Sequence, residues 1–582
     1  MTLENTRPVT ETQFRALTVV AVCALGFLAY ANTFQGEFVW DDVSSVLLHE
    51  RVQDASFSSF KQLFVEDQHA YAGGQGNFYR PLVAASFMLD FYLANRGGAF
   101  DLDNAASYPS TFIFHFSSIA WHIAAAVLVF ALLTRLGAPR AVRCLVPIIY
   151  VIHPLHTEAV AYISGRADSM AAVFTLAAIC FALPRQPGLA RIAAIAASVL
   201  FFAAGLLSKE SAAIYPALLF VCLVFIPWKS FETSTAAKVT RLSPALLALL
   251  LLAGYVYLRM GILNFGSDST PPDSTFAERL VEVAQAFALY IRLMFVPTGL
   301  HMERLLVDVP KWFAAVGLVL IVLTVALLLF SLRLKNYRAA TGLAWFLVAW
   351  FPISGIFTLN APMAEHWMYL PMIGLLWALA ELLCPAPEPG RLCRPVIPVA
   401  ILACIWMSTL LSLTVARNSD WHDNVSIYTE TLRYNPDSVR VQFNLASTYS
   451  HLLGNPIAAK RHYEAVLGHY AAKKKSSPES AATFWNEELD SHLTLGEIYR
   501  GQGEYQKAAE HFVVVASIVP DPSRPDNIRR IATANYGLGH SFLAVGRVPQ
   551  AMEYFRKVPE GRPDLLAEIR SITAKYPEQA PV

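Results

Sequence analysis

The first 415 residues alternate between long apolar runs and short polar loops. The runs fall at 14–33, 111–134, 141–162, 169–184, 189–207, 212–227, 242–260, 312–332, 339–358, 367–383 and 395–415. About 17–25 apolar helical residues cross a bilayer core, so this pattern predicts an all-α membrane bundle of about eleven spans. A further run at 281–297 is ambiguous. Beyond residue 416 the apolar positions take a different period. Leu495-Gly496, Tyr499, Gly503, Tyr505, Ala508, Phe512 and Pro520 stand at the helix-turn-helix spacing of a tetratricopeptide repeat. Leu538-Gly539, Phe542, Gly546, Ala551 and Phe555 repeat it. Leu445-Ala446, Tyr449, Ala459 and Tyr463 do so with one residue inserted, and Tyr428, Leu432 and Pro436 fit the second helix of a truncated unit. Small residues let paired helices approach, and aromatics fill the gaps between neighbouring pairs. The chain thus divides into a membrane part, 1–416, and a C-terminal TPR α-solenoid, 417–582. The stretch 471–480, with Lys473, Lys474 and Lys475, reads as a flexible insertion with solvated lysines.

Composition sharpens this division. Of 582 residues, 55% are hydrophobic and 15% charged, and the mean hydropathy is +0.42. A single soluble core stops growing well before such a length. Residues 417–582 hold 19 Lys/Arg and 19 Asp/Glu, or 38 of the 89 charges, which marks the boundary near Arg417. A formal net charge of +1 gives no basis for nucleic-acid binding. The N-terminal run is long and has no small-residue cleavage site, so it reads as a first membrane helix. Cys23, Cys144, Cys180, Cys222, Cys384, Cys393 and Cys404 lie in or beside apolar runs without a CxxC pair and read as free thiols.

Loop charge sets the topology. Arg135, Arg140 and Arg143 follow the second run, Arg185 and Arg191 the fourth, and Lys229, Lys238 and Arg241 the sixth. Arg333, Lys335 and Arg338 follow the eighth, and Arg391 and Arg394 the tenth. Basic loops at every second position place the N-terminus in the cytoplasm. Eleven spans then place the repeats outside, in a bacterial periplasm or an endoplasmic reticulum lumen. A spanning helix at 281–297 would reverse the Arg333 loop, so this run is read as interfacial or re-entrant. The long loop 34–110 lies outside and carries Asp41, Asp42, Glu50, Glu66, Asp67, Asp90, Asp101 and Asp103. Its stretch 82–93 reads as an amphipathic helix on the membrane surface.

Candidate chemistry collects on the same side. In Phe38-Val39-Trp40-Asp41-Asp42, two adjacent carboxylates follow the first span. One could act as a general base toward a hydroxyl while its neighbour positions it; a helix cap is the alternative reading. His153-Pro154-Leu155-His156-Thr157-Glu158 and Ser164-Gly165-Arg166-Ala167-Asp168 put ionisable groups at another helix end, where they are costly and mark a site. His153 and His156 do not have zincin spacing, and a hydrogen-bonded helix end is the alternative. Ser208-Lys209-Glu210 lies at a further outward end. Arg80, Lys209, Arg259 and Arg292 are the outward cations placed to hold a phosphate. Glu365 and His366 open the tenth span, beside Trp367 and Tyr369, which fit an interfacial aromatic belt. No Walker A loop, GxGxxG or GxSxG is present.

Together these pieces resemble one family, the transmembrane and tetratricopeptide-repeat-containing O-mannosyltransferases and their bacterial relatives. The matching residues are Phe38 to Asp42, Tyr79-Arg80-Pro81-Leu82, His153 to Glu158 with Gly165, Arg166 and Asp168, Ser208-Lys209-Glu210, Glu365 to Pro371, and the repeats. The resemblance implies a GT-C glycosyltransferase whose first outer loop carries the catalytic acid. It implies a polyprenyl-phosphate-linked sugar, mannose in the family, as donor, and Ser/Thr hydroxyls of a polypeptide docked by the repeats as acceptor. Asp41 or Asp42 would take the hydroxyl proton with inversion at the anomeric carbon. Arg80, His153, His156, Glu158, Arg166, Asp168, Lys209, Glu210, Arg259, Glu365 and His366 would hold the donor. No cofactor is implied; a divalent cation has room beside the aspartates but is not expected. A membrane-anchored TPR scaffold, and a flippase or polymerase of surface polysaccharide, are the competing readings.

Overall fold

The computed structural model describes residues 9–69, 71, 77–95, 107–183, 188–227, 235–265, 275–306, 309–357, 359–384, 397–476, 485–520, 525–559 and 562–576. Asp101, Asp103, Arg185, Lys229, Arg391, Cys393 and Arg394 lie outside these residues. Every regular element described is helical. The chain divides into two compact units, Met1–Ile427 and Tyr428–Val582. The division falls after the expected boundary at Arg417. The Ile397–Asn418 helix runs on into a short turn, Ser419–Trp421, which buries Trp421 within the first unit.

Among the described residues of the first unit, six helices are long and apolar enough to cross a membrane: Glu11–Gln35, Thr111–Arg135, Leu189–Leu206, Arg241–Ile262, Trp312–Arg333 and Ile401–Trp421. The other five expected spans form shorter helices of 11 to 17 residues, Arg140–Val151, Arg166–Ala182, Tyr215–Phe225, Tyr337–Trp350 and Pro371–Leu383. The run 141–162 is not one continuous helix. It stops at Val151, because Pro154 lacks an N–H and disfavours helix at His153. A single turn, Pro154–His156, and a four-residue helix, Thr157–Val160, come next.

Two sets of contacts define opposite ends of this bundle. At one end Arg143 and Arg140 bind Glu11, and Arg338 binds both Glu381 and the Gly137 carbonyl. At the other end lie the acidic loop and the residues singled out as a site. The Tyr337–Trp350 and Pro371–Leu383 helices run between the two ends in opposite directions.

The run 281–297 lies within a 20-residue helix, Phe276–Phe295, opened by a Thr275/Glu278 capping box. Its contacts stay at the loop end. Arg279 binds the Ile356 carbonyl, Tyr290 the Ala364 carbonyl, and the Met294 carbonyl accepts from His153 Nε2. Residues 283–290 are buried without a break, so the helix is packed on every face at its middle and not laid on a surface. The helix Pro81–Asn95 occupies the stretch expected on the membrane surface. It buries Val83, Phe87 and Phe91 and leaves Leu89, Tyr92 and Leu93 exposed.

Small residues set the closest approaches. A Cβ on Gly342 would stand 2.7 Å from the Gly374 carbonyl oxygen, and one on Gly374 2.6 Å from that of Gly342. Backbone therefore touches backbone where these two helices cross.

The second unit is an array of helical hairpins: Val439–Ser447 with Pro456–Ser476, Asn486–Gly501 with Tyr505–Ala516, and Pro525–Ala544 with Val548–Arg556, closed by Pro563–Thr573. Gly454, Gly503 and Gly546 take positive φ at the three hairpin turns. The Phe512 ring lies where a Cβ on Gly496 or Gly537 would stand, 2.6 and 2.5 Å away. The residue inserted in the first repeat is absorbed by a π-turn at Thr448–Leu452. Residues 471–476 are helical, not a flexible loop. Nor are their lysines merely solvated: Lys474 pairs with the buried Glu488 at 2.7 Å, and Lys473 covers the Trp485 ring.

Because the Gly342–Gly374 crossing has no side chain to yield, Gly374→Ala should lower the melting temperature in detergent, with a loss of about 1–3 kcal/mol. An Ala substitution at the open Gly468 should not.

Candidate active site

The site is built from the loop after the first helix and the ends of several others. Trp40 sits in the left-handed region, at φ 51°. That conformation costs a bulky residue on the order of 1–3 kcal/mol and persists only where its surroundings impose it. Here the Trp40 N–H donates to Asn424 Oδ1 at 2.9 Å, and its ring stacks on Tyr162, which stacks in turn on Trp421. This turn presents the two aspartates differently. Asp42 is fully buried and accepts from the backbone N–H of Ser164 at 2.7 Å and of Val39 at 3.1 Å. Burial pushes its carboxyl up to about 7, against the pull of those two donors. Asp41 is half-buried, and both carboxylates lie against the Tyr162 phenol. The pair therefore splits into a fully buried brace, Asp42, and a half-buried neighbour, Asp41.

His69 links this pair to the cations. Its Nδ1 lies 2.9 Å from Ser44 Oγ, its backbone N–H donates to Asp67 Oδ1, and Asp41, Asp67 and Arg80 are its charged neighbours. Asp67 also accepts from the Phe78 N–H at 2.6 Å, which sets the segment leading to Arg80.

Two guanidiniums share one carboxylate beyond it. Arg80 Nη2 binds Glu210 Oε2 at 3.1 Å, and Arg259 Nη1 approaches Glu210 Oε1 at 3.4 Å. Arg80 Nε is buried without a hydrogen-bond partner among the described residues. Next in sequence, Lys209 binds Asp168 Oδ2 at 2.7 Å, which lies 4.0 Å from His366 Nε2. His366 Nδ1 faces Glu158 Oε1 at 2.9 Å. Glu365 turns the other way, to Arg304 at 3.1 Å and Arg417 at 3.5 Å, and accepts from the His301 N–H at 2.7 Å. The arrangement can neutralise an anion at Arg80 and Arg259, which share Glu210 as their ion-pair partner among the described residues.

The structure thus brings together Asp41, Asp42, Arg80, Glu158, Asp168, Lys209, Glu210, Arg259, Glu365 and His366 at one end of the bundle. Three of the expected residues do other work. Arg166 is fully buried, and its donors go to Ser118, Ser86, Asp90 and the Phe114 carbonyl, pinning three helices. His153 receives the Leu155 N–H on Nδ1 and gives Nε2–H to the Met294 carbonyl, as a helix cap. His156 is buried among Tyr150, Tyr369 and His122. Arg292 lies apart, exposed and bonded to Thr298. His69, His301, Arg304 and Arg417 also lie in this cluster and are not among the site residues expected from the sequence. Arg417 was legible as a cation in the last turn of an apolar helix, where such a group is costly.

No family model and no solved structure matches the chain. Curated proteins do. The chain is 24% identical over 501 residues to protein O-mannosyl-transferase TMTC4 of Homo sapiens, covering 76% of this chain and 65% of that protein. It is 22% identical over 468 residues to protein O-mannosyl-transferase F38B6.6 of Caenorhabditis elegans, covering 77% and 62%. It is 21% identical over 553 residues to protein O-mannosyl-transferase TMTC3 of Mus musculus, covering 87% and 54%. The similarity runs over most of this chain, which spans between half and two thirds of those relatives.

Asp42→Asn would point an amide N–H at a backbone N–H, so it should cost about 1–3 kcal/mol of stability. A group held near 7 when folded, against 3.8 ordinarily, adds stability below the lower value and loses it as pH rises through the upper. The melting deficit of Asp42→Asn relative to wild type should therefore shrink between pH 5 and pH 8.

Proposed function

On the premise that this chain is a relative of the TMTC-type protein O-mannosyl-transferases, we propose that its bundle transfers a sugar, mannose by that kinship, from a polyprenyl-phosphate carrier to Ser/Thr hydroxyls of a polypeptide. The observation that carries this reading is the separation of roles at one end of the bundle. A half-buried carboxylate, Asp41, is held beside a buried brace, and two guanidiniums share Glu210. In this scheme the acceptor oxygen attacks the anomeric carbon and gives its proton to Asp41. The bond from that carbon to the phosphate oxygen breaks, and the polyprenyl phosphate leaves with the electron pair. Inversion results from the single displacement. The phosphate is already a good leaving group, so the main demand is stabilisation of its growing charge by Arg80, Arg259 and Lys209. The carrier supplies the energy, and the scheme uses neither nucleotide nor metal. In this reading the Arg135–Arg143 loop is cytoplasmic, the Asp41 loop is periplasmic or luminal, and the hairpin array orients the acceptor on that same side.

The test is label transfer from polyprenyl-phosphate-mannose to a Ser/Thr-rich peptide by the purified chain in detergent. Asp41→Asn should lose at least 100-fold in rate at an unchanged melting temperature. An active Asp41→Asn variant removes Asp41 as the base. Arg80→Gln and Arg259→Gln should each raise the KM for the carrier about 10-fold or more, the loss of one charge-assisted contact. Transfer of no sugar from any polyprenyl phosphate to any peptide by wild type would overturn the reading.

A further inference from the structure

The loop that carries Asp41 is held by a segment with none of the expected site residues, the one just after the Ile397–Asn418 helix. The Glu37 N–H donates to the His422 carbonyl at 2.7 Å. The Trp40 N–H donates to Asn424 Oδ1 at 2.9 Å. Trp421 stacks on Tyr162 with ring centroids 5.1 Å apart, and Tyr162 on Trp40 at 5.6 Å.

These contacts do not weigh equally on Asp41. Glu37 precedes the left-handed turn, whereas Trp40 makes it. Rotation about the Trp40 backbone sets where Asp41 stands, since the next Cα is only about 3.8 Å on. A bulky residue stays in that conformation only where its surroundings impose it, and Asn424 grips it by its own N–H. On the far side, the Asp41 carbonyl accepts from Ser44 Oγ at 3.0 Å and from the Ser45 N–H at 2.8 Å. Asp41 is thus fixed between a turn tied to Asn424 and the start of the next helical segment, Val43–Leu47. Asn424 is itself firmly placed. It opens the helix Asn424–Tyr434. Asp423 caps that helix, accepting the Ser426 N–H on Oδ1 at 2.7 Å while its Oδ2 faces His422 Nδ1 at 3.1 Å.

We propose that Asn424 is a positioning residue for the transfer step, holding through the Trp40 N–H the turn that aims Asp41 at the acceptor hydroxyl. This role rests on the transfer reading above. It acts on the base and not on the cations Arg80, Arg259 and Lys209. A misplacement of about 1 Å can cost roughly 100-fold in rate, while the carrier phosphate still meets the same cations. Loss of Asn424 should therefore fall on kcat and spare the KM for the carrier.

The experiment combines label transfer from polyprenyl-phosphate-mannose to a Ser/Thr-rich peptide with backbone hydrogen exchange read by mass spectrometry, on the full chain in detergent. Asn424→Ala should lower kcat at least tenfold, with the KM for the carrier within twofold of wild type. Amides at 37–42 should exchange at least tenfold faster in this variant, and those at 208–210 as in wild type. Asn424→Asp keeps an acceptor oxygen in place, in a first helical turn where an acid is favourable, and should restore both readouts. Thr414→Val controls for lost stability alone. It removes the hydrogen bond from Thr414 Oγ1 to the Ile152 carbonyl at 2.7 Å and should keep the wild-type kcat and the wild-type exchange at 37–42. The role is overturned if Asn424→Ala raises the KM at an unchanged kcat, if exchange at 37–42 does not change, if Asn424→Asp is as slow as Asn424→Ala, or if Thr414→Val is equally slow. A wild type that transfers no sugar overturns the transfer reading and this role with it. An active wild type with an equally active Asn424→Ala overturns this role alone.

Discussion

One buried carboxylate fixes the geometry on which the site depends. Asp42 takes a backbone N–H from each of two segments, at Val39 and, 122 residues away from the carboxylate, at Ser164. The first segment carries Trp40 in a conformation that a tryptophan rarely adopts, and the second leads into Arg166 and Asp168. Gly165 sits between them with no room for a side chain, since a Cβ would lie 2.2 Å from the Glu158 carbonyl oxygen. The loop after the first helix and the turn before Arg166–Ala182 are therefore one construction, and the aspartate beside the brace inherits its rigidity. Preorganisation of this kind lets a weak base act, because little reorganises at the moment of reaction.

The same economy governs the charges. Ionisable groups at the end of an apolar bundle are costly unless paired, and here pairing is nearly complete: Lys209 with Asp168, His366 with Glu158, Arg304 and Arg417 with Glu365. Glu365 and Glu210 each serve two arginines, but Arg417 also pairs with Asp420, whereas Arg80 and Arg259 have Glu210 as their ion-pair partner among the described residues. An anion arriving there would meet cations that are already oriented and only partly neutralised.

Much of this is legible in the sequence, for reasons that differ by residue. Apolar runs and paired-helix spacing locate the helices because period and length are local properties. The aspartate pair, Lys209-Glu210 and Glu365-His366 stand out because charge is conspicuous beside apolar runs. The division of work among them is not legible. Arg166 and Arg80 look alike in one dimension. Only the fold gives one to Asp90, Ser118 and Phe114 in a closed interior and the other to Glu210, with its Nε unpartnered among the described residues. Asp41 and Asp42 are adjacent, and their difference comes from Ser164, far along the chain. His69 and His301 lie in polar loops, where a histidine gives no signal. Hydropathy misjudges the run 141–162 because it does not register the break that Pro154 makes at His153.

The π-turn at Thr448–Leu452 bears on how the hairpin array keeps time. Its repeat carries one residue more than its neighbours, yet Ala459 and Tyr463 still reach the buried positions that Ala508 and Phe512 occupy one hairpin later. Taking the surplus into a wider turn lengthens the chain without rotating the next helix, which leaves the bulge in phase. Phe512, wedged against Gly496 and Gly537, is a gauge of fixed size between successive hairpins. An array built this way forgives errors of counting but not errors of phase, because the spacing of its hairpins is fixed by a ring against glycines.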